Sequence, residues 1–450
     1  MNAASDAAPP RGEPSGAERA ARAVVQRLRG AGFRAYFAGG CVRDWLLGEQ
    51  PTDFDVATDA SADIVQQLFR RTVPVGAQFG VVLVLIDDQP IEVASFRADA
   101  EYLDGRRPVS VRPATPEEDA QRRDFTINGM FRDPDSDEVL DFVGGRADLA
   151  AGIIRAIGDP AARLHEDRLR MLRAVRLAAR LDYAIDPATM TAIRTHADAL
   201  TGIAWERIGE EIVRILTEGR ARRGFELLDQ SGLLPHVLPE VAALHGVEQS
   251  PDYHPEGDVF IHTLLLLEQL RAPSETLALA ALLHDIAKPD CAERRGDRIT
   301  FYGHPEVGAA RAVAICQRLR RSRPVWERVE YLVRNHLRLV HAPQMRRSTL
   351  RRFLAEDGID ELLELARIDS LAAHGDLRAY QFCVDARTQL GDEPARPEPL
   401  VRGRDLLALG YRPGPLYSEI LHAVEEKQLE GELTTPESAL AWVKQAYRLA

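Results

Sequence analysis

Strand-type patterning stops about a third of the way along this chain, and that change of period limits what the chain can fold into. Val81–Ile86 reads VVLVLI, an apolar run of strand length, and residues 91–96 read IEVASF, which alternates as a half-buried partner strand would. The two are expected to form a hairpin through Asp87-Asp88-Gln89-Pro90. Shorter strand candidates lie at Ala35–Ala38 and 55–57, around a Gly-Gly turn, after a helix predicted over 17–30 that ends on a glycine. Residues 99–122, charged and turn-rich, read as a mobile loop. Beyond about Ile157 strand signals fade, leaving helical patterns between Gly and Pro breaks. The fold class expected is therefore α+β, a small α/β head followed by a long all-helical body.

A chain of 450 residues is too long for one core, so several units are expected. The segments read as a disordered tail (1–16), the head (17–150), a helical neck (151–235), a histidine-bearing helical domain (236–390) and a terminal helical module (391–450). No apolar run approaches the roughly 18–20 residues of a membrane helix. The first residues have no apolar core of a signal peptide, so no membrane partner is expected. Four scattered cysteines, at 41, 291, 316 and 383, show neither zinc spacing nor a disulfide framework, which fits a reducing cytoplasm. A net charge of −12 argues against generic nucleic-acid binding. Arginines nonetheless cluster at 163–180, 318–323 and 346–352, and phosphate contacts depend on the local field.

The first chemical constellation is Gly39-Gly40-Cys41-Val42-Arg43-Asp44, followed by Asp53-Phe54-Asp55. A glycine pair after a strand lets backbone N–H groups approach phosphate oxygens, and a following helix N-terminus favours the same anion. Two carboxylates in a D-x-D on one strand share a face, with Cα atoms about 7 Å apart. That suits Mg²⁺, a hard cation that takes oxygen ligands and bridges substrate phosphates. Two such ions would activate an attacking 3′-hydroxyl and stabilise leaving pyrophosphate. Glu92, on the alternating hairpin strand, is a candidate third carboxylate.

With these residues the chain resembles the nucleotidyltransferase superfamily, and within it the class II CCA-adding enzymes and bacterial poly(A) polymerases. The matches continue in order through Arg122 to Asn128, Asp141 with Gly144-Gly145 and Asp148-Leu149, Glu166-Asp167 with Arg170, and Glu206-Arg207-Ile208. The resemblance implies a nucleotidyltransferase-type head, with Asp53 and Asp55 as catalytic metal ligands.

Base choice is expected in residues 166–180. At helical spacing Arg170, Arg173, Arg176 and Arg180 share a face, and Asp167 sits one turn before Arg170. An ionised Asp only accepts hydrogen bonds and Arg only donates. Cytosine and adenine each present an amino donor beside a ring-nitrogen acceptor and so complement the pair. Uracil and guanine turn a carbonyl oxygen toward the carboxylate and are repelled. The resemblance implies that Asp167 and Arg170 select CTP and ATP. It also implies that Gly39, Gly40, Arg43, Arg123, Asp124, Asn128, Arg173 and Arg176 help to bind the nucleotide.

A second constellation occupies the helical body: His262, the adjacent pair His284-Asp285, His304, His336 and Asp369. Burying a histidine–aspartate pair in an apolar helix costs several kcal/mol unless something pairs with it, and a metal ion is a natural partner. Imidazole with carboxylate suits a transition metal or Mg²⁺. The order is similar to that of the HD-domain phosphohydrolases, which implies a two-metal centre hydrolysing phosphoesters. Lys288, just after the pair, is a candidate phosphate contact. Residues 410–443 resemble the terminal helical module of class II enzymes with HD domains, which implies an arm touching tRNA.

Three functions compete. One is CCA addition to tRNA, or a partial form adding only CC or only A. The second is poly(A) synthesis, and the third a phosphohydrolase whose head only binds nucleotides or RNA. Residues 75–84 read VGAQFGVVLV where poly(A) polymerases of this family carry a basic stretch, which favours the CCA-adding form.

Overall fold

The computed structural model describes residues 13–76, 80–99, 111–250, 257–296, 298–390 and 398–448. The chain forms two compact units, Met1–Pro239 and Glu240–Ala450. Most of the expected tail, 1–12, lies outside the described residues.

The first unit begins with α1 (Gly16–Gly30), started by Ser15, whose hydroxyl accepts the Glu18 N–H at 3.1 Å. Ala20, Ala21, Val24, Val25 and Leu28 form its buried stripe, spaced as an amphipathic helix requires. There follow β1 (Ala35–Ala38), α2 (Gly40–Leu46), β2 (Asp55–Thr58), α3 (Ala62–Leu68), β3 (Thr72–Gly76), β4 (Val81–Ile86) and β5 (Gln89–Ser95). Next come β6 (Arg97–Asp99), β7 (Val111–Pro113), α4 (Pro116–Gln121), a 3-10 turn at Thr126–Asn128, β8 (Phe131–Arg132) and β9 (Val139–Leu140). The seven-stranded sheet runs β3-β4-β5-β2-β1-β8-β9. Within it β2 and β5 are parallel, while the other neighbours are antiparallel. One packed cluster on this sheet joins Ala38, Ala57, Phe96, Ala120 and Phe131.

Three expectations need correction here. The hairpin turn has two residues, not four: Ile86 pairs with Gln89 and Leu85 with Pro90. Asp87 and Asp88 both take positive φ, 48° and 60°, the turn geometry that matches the twist of the flanking strands. Nor is 99–122 one loop. Residues 100–110 lie outside the described set, but β7 pairs with β6, and α4 is closed by a capping box between Thr115 and Glu118. Finally, short strands do occur past Ile157: β11 (Ala184–Ile185) pairs with β10 (Ile153–Ile154), and Glu293–Arg295 pairs with Arg298–Thr300.

The rest of the first unit is helical: α5 (Gly145–Ala151), α6 (Pro160–Glu166), α7 (Arg170–Leu181), α8 (Pro187–Thr195), α9 (Trp205–Thr217) and α10 (Ala221–Gln230). In the second unit the helix Glu275–Leu283 is buried at every position from Leu277 to Leu283, so it runs through the middle of its core. Helices Val259–Glu268, His304–Arg318, Arg323–Asn335 and Ile359–Ala372 belong to the same unit. Toward its end, helices Gly403–Ala408, Pro415–Leu429 and Pro436–Ala446 enclose a separate apolar cluster that includes Leu406, Tyr411, Ile420, Val424 and Val443.

Candidate active site and metal centre

Sheet register builds the floor of the first site. Ala38, Asp55 and Glu92 are direct neighbours across β1, β2 and β5. In a pleated sheet such a row projects to one face, so the Asp55 and Glu92 carboxylates stand side by side. Strand β2 begins only at Asp55, so Asp53 lies just outside it. Phe54 is buried between the two acids, which keeps the in–out alternation and leaves Asp53 on the cavity wall. Solvent reaches Asp55 through the cavity, but protein surrounds it otherwise, and that enclosure governs its proton affinity. Burial, then the charges of Glu92 and Asp53, push it up to about 6 against the pull of Arg123. Three crowded acids, one of them unusually reluctant to ionise, form a donor set suited to a divalent cation.

A cavity of about 500 Å³ opens above this row. All of the residues expected to serve catalysis or nucleotide binding line it: Gly39, Gly40, Arg43, Asp53, Asp55, Arg123, Asp124, Asn128, Asp167, Arg170, Arg173 and Arg176. Glu92 and Arg180 line it too, as do Asp44 and Arg122 of the quoted motifs and Arg97 and Arg214, whose sequence context gives no comparable signal. Nine arginines face six carboxylates around the wall, so the acidic chain carries a locally positive pocket.

Gly39 adopts φ +74°, and a Cβ there would lie 3.3 Å from Arg123 Nη1 and 3.7 Å from Asp55 Oδ2. Glycine keeps that gap open. Its N–H, however, donates to the Met130 carbonyl at 3.2 Å, so it is not the free phosphate donor expected of the glycine pair. Arg43 donates to Asn128 Oδ1 at 2.7 Å, and Asn128 donates to Asp124 Oδ1 at 3.3 Å. Arg173 stands 2.7 Å from Asp124 Oδ2. Burial raises the proton affinity of Asp124, but Arg173, Arg170 and the Phe125 N–H outweigh it and hold the acid below its ordinary range. Arg123 and Arg122 are both tied to buried Asp119.

The 3-10 turn that carries Asn128 is braced from α5. Asp141 accepts the N–H groups of Val143, Gly145 and Arg146, and Asp148 accepts the Thr126 hydroxyl at 2.7 Å. Gly145 packs so closely that a Cβ would fall 2.3 Å from the Thr126 carbonyl oxygen.

The Asp167–Arg170 pairing is a correction. Residues 166–180 are not one helix: α6 ends at Glu166, Asp167 is its extended C-cap, and α7 starts at Arg170. Asp167 pairs with Arg207 of α9 at 2.9 Å. Arg170 instead pairs with Glu166 at 2.6 Å and donates to the Arg163 and Arg122 carbonyls. Both still line the cavity. Within α7 an apolar stripe that includes Leu172, Val175 and Ala179 is buried beside the arginines. Arg176 is buried against Glu211 at 2.7 Å and Glu218 at 3.1 Å, which makes it a brace between α7 and α9 as well as a lining residue.

The second unit gathers the other histidines. His262, His284 and Asp369 bring ligand atoms within 4.8 Å of one another, and so do Asp285, His304 and His336. His262 Nε2 lies 3.0 Å from Asp369 Oδ1 and 3.3 Å from His284 Nε2. Asp285 joins the triads, with Oδ2 at 3.1 Å from His284 and Oδ1 at 3.3 Å from His304. The Nδ1 atoms of His284, His304 and His336 each face a backbone carbonyl, of Ala281, Phe301 and Val333. That contact fixes the tautomer and aims Nε2 inward, as metal-ligating histidines require. Burial pushes His336 down to about 4, so it is neutral with its lone pair available. This donor set fits two metal ions, one per triad. Lys288 is buried beside it, 2.6 Å from Asp285 Oδ2.

The chain is similar to known proteins along most of its length. The model of the poly A polymerase head domain matches residues 35–155, that described as "Probable RNA and SrmB- binding site of polymerase A" matches 182–244, and that of the HD domain matches 254–374. The chain is 31% identical over 427 residues to the CCA-adding enzyme of Enterococcus faecalis, covering 93% of both proteins. It is 44% identical over 214 residues to that of Levilactobacillus brevis, a match spanning 54% of that relative and 47% of this chain. Among solved structures, the Bacillus stearothermophilus CCA-adding enzyme in complex with CTP superposes with a TM-score of 0.72 at 25% identity, covering 96% of this chain and 98% of that one. The Thermotoga maritima CCA-adding enzyme complexed with tRNA gives 0.60 at 19% identity over 94% of each, a likeness of fold alone.

Proposed function

The chain belongs to the CCA-adding enzyme family, and we propose on that premise that it builds or repairs the 3′-CCA end of tRNA from CTP and ATP. The observation that carries this reading is the placement of Asp53, Asp55 and Glu92 on the floor of one cavity whose wall also holds Asp167 and Arg170. The three carboxylates would hold Mg²⁺, which supplies Lewis-acid stabilisation of the triphosphate and favours ionisation of the attacking 3′-hydroxyl. Arg43, Arg123 and Arg173 present donors to the phosphates from the same cavity.

Asp167 accepts two N–H groups of Arg207 and the Leu169 N–H, yet a carboxylate has about four acceptor sites. One is left for the amino group of cytosine or adenine. Arg207 thereby orients the selecting carboxylate, and Arg170 supplies the donor for the ring nitrogen once it turns from Glu166. Poly(A) synthesis is the weaker reading, because the relative matched along nearly the whole chain is a CCA-adding enzyme.

The second unit is read as a metal-dependent phosphohydrolase acting on phosphoester ends of RNA, with the two triads as ligands for a transition metal or Mg²⁺. The free cysteines support a cytoplasmic setting, and among the described residues no helix is long and apolar enough to cross a membrane.

The direct test offers purified protein tRNAs ending at the discriminator base, at C or at CC, each with labelled CTP or ATP, beside an unstructured RNA. Stepwise completion to CCA is expected. Long A tails on the unstructured RNA, with the tRNAs untouched, would overturn the proposal.

A further inference from the structure

Beside the carboxylate that joins the two triads lies a buried donor left without an acceptor. Lys288 Nζ is 2.6 Å from Asp285 Oδ2 and donates to Gln249 Oε1 at 2.5 Å, with the Phe301 ring centroid 5.3 Å away. Gln249 is only 3% exposed. An ammonium can only donate, so the amide oxygen must face Lys288, and this chemistry turns Nε2 the other way. That nitrogen is buried with no hydrogen-bond partner among the described residues.

The orphan is not a loose end. Gln249 donates its backbone N–H to Gly257 at 2.8 Å, Val259 donates to Val247 at 3.1 Å, and Glu248 bridges Asp258 between them. The backbone therefore sets where the amide sits. Buried polar groups in native proteins nearly always have partners, and an exception calls for a missing ligand or another specific cause. Here the missing partner must be an acceptor, and it must tolerate the Lys288 ammonium that links the same amide to Asp285 of the two-metal centre. An oxyanion satisfies both conditions.

We propose that Gln249 is a substrate-binding residue of the HD centre, its amide N–H donating to a non-bridging oxygen of a bound phosphoester. Lys288 is then the positioning residue, held by Asp285 and holding the amide in register. This rests on the phosphohydrolase reading of the second unit.

The test uses the full chain carrying Asp53→Ala and Asp55→Ala, which removes the head's paired metal ligands. The head's arginine-lined cavity can still take phosphate, so the part of phosphate binding that requires Mn²⁺, found by comparison with chelator-treated protein, reports on the second unit. With Mn²⁺ loaded, inorganic phosphate affinity is measured by titration calorimetry and hydrolysis with bis(p-nitrophenyl) phosphate. Gln249→Leu should weaken phosphate binding and raise KM roughly tenfold, with metal stoichiometry and melting temperature little changed. Gln249→Glu retains an acceptor for Lys288 but offers a carboxylate to the phosphate, so it should bind phosphate more weakly still. If Gln249→Glu matches the unsubstituted residue while Gln249→Leu is impaired, Gln249 only holds Lys288 and the proposal fails. Equal phosphate affinity in all three proteins, or none in the protein with Gln249 intact, also overturns it. Phosphate binding without hydrolysis would refute the hydrolase reading alone, and the affinity comparison would still decide the role of Gln249.

Discussion

Asp55 shows how a single side chain is shaped by its neighbours before any ligand arrives. Its proton affinity is raised from an ordinary 3.8 to about 6, first by burial and then by Glu92 and Asp53. Between those values the folded, metal-free protein holds a proton that the unfolded chain has released, so this group favours folding more as pH falls through 6. Above pH 6 its charge works against the fold. Asp55→Asn should therefore raise the melting temperature of chelator-treated protein at pH 7.5 and change it little at pH 4; calorimetry at both values checks this, and an unchanged melting temperature at pH 7.5 would refute the crowding. With the aspartate intact, protons compete for the cation, so the metal concentration needed for half-maximal transfer should rise below about pH 6. A second prediction concerns base choice. Asp167→Ala should let UTP compete, and Arg207→Ala should do so more weakly, each lowering the CTP-over-UTP ratio of kcat/KM by about tenfold or more. Unchanged selectivity in both would remove the selecting role from Asp167. The acids themselves were legible in the sequence because D-x-D and Glu92 carry a period of two. The partner of Asp167 was not, because the helical-spacing argument assumed one helix across Asp167-Arg168-Leu169, where the chain leaves α6 and restarts as α7.

The elements around the site divide between those that carry chemistry and those that hold it in place. Gly145 belongs to the second kind: it starts α5 against the turn that positions Asn128, with Thr126 O and Met130 in the space a side chain would need. Gly145→Ala must displace that turn. It should cost about 2 kcal/mol or more of stability and lower kcat/KM for nucleotide, read by denaturant unfolding and single-turnover transfer. Full activity with unaltered stability would mean the turn adapts freely. The long elements, α1 and the β4–β5 hairpin, could be read from periodicity because they repeat it several times. Two- and three-residue strands such as β10, β11 and Glu293–Arg295 are too short to display a period at all. Helix α4 was missed because the charge and turn residues of 99–122 suggested a loop, although its first turn is closed by a capping box between Thr115 and Glu118.

At the scale of the molecule, the order of head and helical body follows from where strand patterning ends, and the histidine set follows from its order along the chain. What the sequence could not supply was the way Asp285 ties two triads into one centre, because that depends on five segments far apart in the chain converging. The carboxylate row and this centre lie in different compact units and share no ligand. Two chemistries on separate ligand sets should fail separately. Asp53→Ala with Asp55→Ala should abolish CMP and AMP incorporation while phosphodiester hydrolysis continues. Conversely, His336→Gln should reduce hydrolysis at least about 100-fold and leave incorporation intact, since loss of a ligand must cost no less than loss of its supporting contacts. His336 is the better choice for this test than Asp285, whose removal would strand the buried Lys288 ammonium and destabilise the unit for reasons unrelated to metal binding. Both activities are measured on the same preparations, with melting temperature as the folding control. If either variant lost both activities while still folded, the two centres would have to act as one, and the assignment of separate roles to the two units would fall.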